Sequence, residues 1–168
     1  MKVLSLMRHA KSSWEWPGLS DFDRPLLEKG IQRTHRTCQF MQEQKLLPQL
    51  VFSSRAVRAR ETALLVTECL NMKVEPLWVE AFYPGGVRDF LKQLAAIDDQ
   101  VHHILIIGHN PGISDFACHV LNNQTAEWIP TSGCVSLELD ILNWKDTVAG
   151  KAKLLHYIKP KELGKKSK

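Results

Sequence analysis

An α/β domain built on a mostly parallel sheet is predicted by three observations. Short apolar runs of strand length alternate with longer stretches whose apolar residues recur at three- and four-residue steps. One run, Ile104-Leu105-Ile106-Ile107, is largely β-branched and unbroken, as suits a sheet centre covered on both faces. A chain of 168 residues that is 44% hydrophobic can bury one full core without disulfides or metal staples. A single domain is expected over residues 1–158, followed by a lysine-rich tail at 159–168.

The elements follow in order. Val3 to Met7 is a short apolar run that ends in charge at Arg8, which marks a first strand. After a polar loop with Trp14, Trp16, Pro17 and Gly18, a helical stripe of Ile31, Thr34, Cys38 and Met41 begins near Pro25, a suitable first-turn residue. Leu50-Val51-Phe52 predicts a second strand, and Ala59, Ala63, Val66, Thr67 and Leu70 share one face of the next helix. Ser53 or Ser54 is the natural N-cap of that helix. A third strand is expected between Val74 and Val79, at an edge because Pro76 lacks a donor. Gly85-Gly86 leads into a helix carrying Phe90, Leu91, Leu94 and Ala95. The central strand breaks at Gly108, and a helix with Ile113, Phe116, Ala117, Val120 and Leu121 follows. Two last strands, near Val135–Ile141 and Lys153–Ile158, are placed to form a hairpin at one side.

Charge narrows the function classes. The net charge is +4, but the last ten residues hold five lysines and one glutamate, so the rest of the chain balances to zero. That pattern reads as a solvated end and argues against nucleic-acid binding. No run reaches the length of a membrane span, and the apolar start is too short for a signal peptide. Cys38, Cys69, Cys118 and Cys134 lie far apart in apolar stretches, which predicts free buried thiols in the cytoplasm. The histidines form no metal cluster, so no cofactor is expected, and the chain is expected to be a monomer.

Ligands of open parallel sheets bind beyond the carboxyl ends of the strands. Three strand ends here deliver reactive or cationic residues: Arg8-His9, Ser53-Ser54 followed by Arg55, Arg58 and Arg60, and Gly108-His109-Asn110. Arginine presents a planar fork that matches phosphate oxygens. A histidine can attack phosphorus through one ring nitrogen while a hydrogen bond at the other sets the tautomer, and a second histidine can donate to a phosphoryl oxygen. Each piece alone is an ordinary charged loop or turn. Their joint placement at three strand ends points to phosphoryl chemistry.

Leu6-Met7-Arg8-His9-Ala10-Lys11-Ser12 resembles the motif that opens the histidine phosphatase superfamily, the phosphoglycerate mutase-like enzymes. Ser53-Ser54-Arg55-Ala56-Val57-Arg58-Ala59-Arg60-Glu61-Thr62-Ala63 resembles its second motif. Gly108-His109-Asn110-Pro111-Gly112 is similar to the third, as found in the short SixA-type phosphohistidine phosphatases, and Asp23-Arg24-Pro25-Leu26 with Gly30 also resembles that branch. The resemblance implies a three-layer α/β/α sandwich of the phosphoglycerate mutase-like kind. It implies His9 as the phosphorylated residue, with Arg8, Arg58 and His109 holding the phosphoryl group and Ser12 lining the pocket. Arg55 stands where many relatives have proline and is expected to face solvent.

Two positions bear on the acid that would protonate a leaving oxygen. Asn110 occupies the place of an aspartate in one branch, and Glu80 lies about where another branch has a glutamate, with a plain surface role as the alternative. A phosphohistidine leaves as imidazole, whose conjugate acid has a pKa near 6.5, so it needs no dedicated strong acid. The expected activity is therefore metal-independent hydrolysis of protein phosphohistidine through phospho-His9. A small-molecule phosphomonoesterase using Glu80, or a phosphoprotein-binding module without turnover, are the competing readings.

Overall fold

The computed structural model describes residues 1–122 and 128–164. Its six strands are β1 (Lys2–Arg8), β2 (Leu50–Ser54), β3 (Leu77–Val79), β4 (His103–Gly108), β5 (Cys134–Leu139) and β6 (Ala152–Ile158). They form one sheet in the order β3-β2-β4-β1-β5-β6. The first four run parallel, and β5 and β6 are antiparallel additions at one side, so the predicted hairpin and mostly parallel sheet are both present. β3 takes the expected edge, although only Leu77 onward joins it.

The four helices are α1 (Glu28–Glu43), α2 (Val57–Cys69), α3 (Val87–Ala95) and α4 (Gly112–Leu121). Alternation along the strands sorts the core between two helical layers. Leu4, Leu6, Ile104 and Ile106 point to one face, against Phe90 and Leu94 of α3 and Phe116 and Val120 of α4. Met7, Val51, Leu105 and Ile107 point to the other, against Cys38 and Met41 of α1 and Ala59, Ala63 and Val66 of α2. Residues 104–107 are fully buried, so each of those side chains contributes roughly 1.5–3 kcal/mol of burial.

Three local expectations are corrected. Pro25 lies ahead of α1, whose N-cap is Leu27; the Pro25 carbonyl accepts the Ser13 amide at 2.8 Å, so this proline shapes a loop. The N-cap of α2 is Ala56, because Ser54 still pairs with Val79 in the sheet and cannot also begin a helix. Residues 159–164 are not a solvated tail: Pro160 is buried and Leu163 packs on the Cys38–Met41 side of the core. The remaining tail lysines, Lys165, Lys166 and Lys168, lie outside the described residues. None of the four cysteines forms a disulfide, and Cys69 and Cys118 are only half-buried. Among the described residues no helix is long and apolar enough to cross a membrane.

Register positions the site. Arg8 pairs with Gly108, so the residues that follow, His9 and His109, leave the sheet side by side. Ser53 pairs with Ile107, which puts Ser54 level with Gly108 and beside the second histidine.

Candidate active site

The loop after β1 is held from several directions. The His9 amide donates to the Gly108 carbonyl at 3.1 Å, and the Ser132 amide donates to the carbonyls of Arg8 and His9 at 3.1 and 3.2 Å. The Ala10 amide donates to the Thr62 hydroxyl at 2.9 Å, and that hydroxyl donates to the Arg58 carbonyl at 2.6 Å, which ties the loop to α2. On the far side, a Cβ placed on Gly30 would lie 2.5 Å from the Lys11 carbonyl oxygen. Only glycine lets α1 approach the loop this closely. Glu61 completes the frame by accepting the Leu26 amide at 3.0 Å.

Within this frame the His9 tautomer is decided by its partners. Nδ1 lies 2.8 Å from the Ala10 carbonyl, which can only accept, so Nδ1 carries the proton. Nε2 is left with its lone pair and receives the Arg58 Nε–H at 3.3 Å. His9 is buried, and desolvation, reinforced by His109, Arg58 and Arg8, pushes its pKa down to about 3 against the Ala10 hydrogen bond. The imidazole is therefore neutral at pH 7, as an attacking nitrogen must be.

The second ring is oriented by a different device. His109 Nε2 lies 2.7 Å from the Ser54 hydroxyl, which also accepts the Ala56 amide at 3.1 Å. Ser54 is fully buried and its hydroxyl has no other partner among the described residues, so its O–H is satisfied by donating to Nε2. The His109 proton then sits on Nδ1. Burial, with Arg58 next in weight, lowers the His109 pKa to about 4, so this ring too is neutral. The two ring centres are 5.0 Å apart.

Two buried side-chain nitrogens have no hydrogen-bond partner among the described residues: Arg8 Nε and His109 Nδ1. Both residues line one cavity of about 370 Å³, together with His9, Ser12, Arg58 and Asn110. Buried donors are nearly always paired, and two unpaired donors on residues that line one cavity mark a place for an anion. No carboxylate is among the residues lining that cavity.

Chain similarity agrees with this geometry. Residues 4–83 match the model of the histidine phosphatase superfamily (branch 1). An uncharacterized protein of Mycobacterium leprae is 32% identical over 144 residues, covering 79% of this chain and 87% of that one.

The chain belongs to the histidine phosphatase superfamily.

Phosphohistidine phosphatase SixA of Escherichia coli is 26% identical over 149 residues, 83% of this chain and 90% of that one. The chain also spans 56% of the length of a chloroplastic relative from Arabidopsis thaliana. A solved structure of the protein histidine phosphatase SixA complexed with tungstate shares the fold, with a TM-score of 0.82 at 23% identity, over 95% of this chain and 98% of that one. The phosphoglycerate mutase-like sandwich implied by the motifs is thus the fold of this histidine phosphatase.

The structure gathers Arg8, His9, Ser12, Arg58 and His109 around one cavity. Ser12 is buried and accepts Arg24 at 2.7 Å. Glu80 is exposed and does not line this cavity. Arg55 and Arg60 are exposed, Arg60 against Trp78, with the turn of α2 carrying them away from Arg58.

Three further residues were not legible as parts of the site. Asp21 accepts Arg58 at 3.0 Å, Arg24 at 3.0 and 3.1 Å, and the Tyr83 hydroxyl at 2.7 Å. The Tyr83 hydrogen bond leads, and with the two arginines it holds the Asp21 carboxyl down at about 2. Tyr83 also sets its ring 5.3 Å from His109. Arg24 stacks on Trp14 at 3.5 Å. For Arg24 the signal was the resemblance of Asp23-Arg24-Pro25-Leu26 to the short branch; Asp21 stood only in a short charged run, and nothing singled out Tyr83.

Proposed function

We propose that this phosphatase hydrolyses phosphohistidine on a protein, with His9 as the nucleophile. The single observation that carries the reading is the pair of neutral, oppositely oriented imidazoles at one cavity: His9 offers a lone pair at Nε2 and His109 a proton at Nδ1. His9 Nε2 attacks the phosphoryl group, and its new bond to phosphorus forms as the substrate's P–N bond breaks. The substrate ring, protonated at its other nitrogen, leaves as neutral imidazole. Phospho-His9 carries positive charge on its ring, which the Ala10 carbonyl stabilises through Nδ1–H. Water then attacks phosphorus, releases orthophosphate and restores neutral His9.

Arg8 Nε, His109 Nδ1 and the Arg58 fork are the donors for the phosphoryl oxygens, and Ser12 stands at the pocket wall. Among the described residues no carboxylate lines that wall, and Asp21 beside it is held ionised by Tyr83, Arg58 and Arg24, an arrangement that suits a leaving group needing no strong acid. In this reading Glu80 takes no part, and a monoester whose alkoxide must be protonated turns over slowly.

The test is rapid acid-free quenching with labelled phosphohistidyl protein, followed by peptide mapping of the label. Label on the peptide containing His9, its loss in His9→Ala with unchanged circular dichroism, and preference over a simple phosphate monoester are expected. Turnover retained in His9→Ala removes the nucleophile assignment, and a preference for the monoester that Glu80→Gln abolishes supports a phosphomonoesterase instead.

A further inference from the structure

Beside the His9 cavity lies a second one, of about 440 Å³, and Arg8, Lys11 and Thr131 line both. Arg33 of α1 points into it. That residue is 9% exposed, and its guanidinium makes no hydrogen bond or ion pair with the described residues. An arginine this enclosed, with no carboxylate partner among the described residues, leaves its planar fork of donors for an anion that enters the cavity. Lys159 and Lys161 also line it, with Glu162 the one acid among the described lining residues. The crowding of like charge is independently visible at exposed Lys29, whose pKa is lowered by Arg33, then Lys11, with Lys161 a lesser cause than its own slight burial. Trp128 and Pro160 add apolar surface, and Trp128 is 59% exposed, so the cavity opens onto the protein's face.

This cationic chamber takes no part in the phosphoryl chemistry derived above. It is separated from His9 by the Arg8 side chain, which serves both cavities. A substrate that seats its phosphoryl group at His9 therefore extends past Arg8 into the second cavity. We propose that this cavity binds acidic side chains flanking the phosphohistidine of the protein substrate, with Arg33 as the principal partner. The proposal rests on the phosphohistidine reading for the substrate's identity. The open mouth and the exposed tryptophan suit a protein segment lying across the surface.

The experiment uses two phosphohistidyl peptides that differ only in glutamate against glutamine on either side of the histidine. In the native enzyme the glutamate peptide is expected to have a KM about tenfold lower at low salt, with equal kcat, as a charge-assisted contact implies. Arg33→Gln brings the two KM values together, and Lys161→Gln, at an exposed position, narrows the gap by a smaller factor. Equal KM values in the native enzyme, or a gap that survives Arg33→Gln, overturn the proposal. Binding of the unphosphorylated peptides, followed by fluorescence anisotropy, reads the same preference without turnover. An enzyme that hydrolyses neither peptide but still binds the glutamate form through Arg33 refutes the phosphohistidine reading and keeps the acidic subsite.

Discussion

Acid should destabilise this protein steeply, well above the range where carboxylates titrate. Three histidines, His9 and His109 buried and His103 half-buried, are held neutral mainly by desolvation: His9 at about 3, and His103 and His109 at about 4. An unfolded chain releases each to about 6.5. Because the folded values are the lower ones, the unfolded state binds more protons between about pH 4 and 6.5, and stability falls as pH falls through that window. Above pH 6.5 the full stability is present. Going from pH 7 to pH 5 costs about 2 kcal/mol per histidine, and so about 6 kcal/mol for the three, a large share of the roughly 5–15 kcal/mol of a typical domain. Urea unfolding at pH 7, 6 and 5, followed by tryptophan fluorescence with buried Trp144 among the reporters, measures the drop. His103 lies outside the cavity, bonded to the Ser5 hydroxyl at 2.9 Å, so His103→Gln should remove about a third of the pH dependence. Nitrogen-15 titration of the imidazoles gives the same information site by site. A His9 midpoint near 6.5, or equal stability at pH 7 and 5, refutes the assignment of neutral buried rings.

Three substitutions test the site. Arg58→Lys is expected to lower kcat/KM about a hundredfold or more, because one ammonium cannot reproduce contacts made together to His9 and Asp21 through Nε, Nη1 and Nη2; steady-state kinetics on a phosphohistidyl substrate measures it. Ser54→Ala removes the donor that keeps the His109 proton on Nδ1, and a loss of about five- to thirtyfold in kcat is expected, with the His109 nitrogen-15 shifts reporting a changed tautomer. Gly30→Ala places a methyl 2.5 Å from the Lys11 carbonyl oxygen, so a loss of about 1–3 kcal/mol in denaturant unfolding is expected along with reduced turnover.

Much of the framework was legible because it depends on neighbours in the chain. The Ile104–Ile107 run declares a central strand through its own hydrophobicity. Arg8-His9 and Gly108-His109 declare reactive strand ends because each dipeptide is covalently attached to a strand that must stop there. Alternation along those strands already divides Leu6 from Met7, hence one helical layer from the other. The order of elements in turn predicted a mostly parallel sheet closed by a hairpin.

What only the tertiary structure decided are the relations between distant segments. Register brings Ser54 at the end of β2 against His109, the residue after β4, turning a supposed helix cap into the residue that sets a tautomer. Asp21 and Tyr83 are separated by more than sixty positions, and their meeting over Arg58 follows from how two loops pack at one end of the sheet. Glu80 has a plausible sequence position yet faces solvent, because side-chain direction in the short turn after β3 is not written in spacing. Arg33 reads as one more charge on an amphipathic helix, and only the fold makes it a buried residue lining one cavity with Lys159, Pro160 and Lys161. Hydrophobic periodicity is a local property and survives in the one-dimensional text. Burial and partnership of a polar side chain are properties of what arrives from elsewhere, and for this protein they determine which cations and histidines form the site.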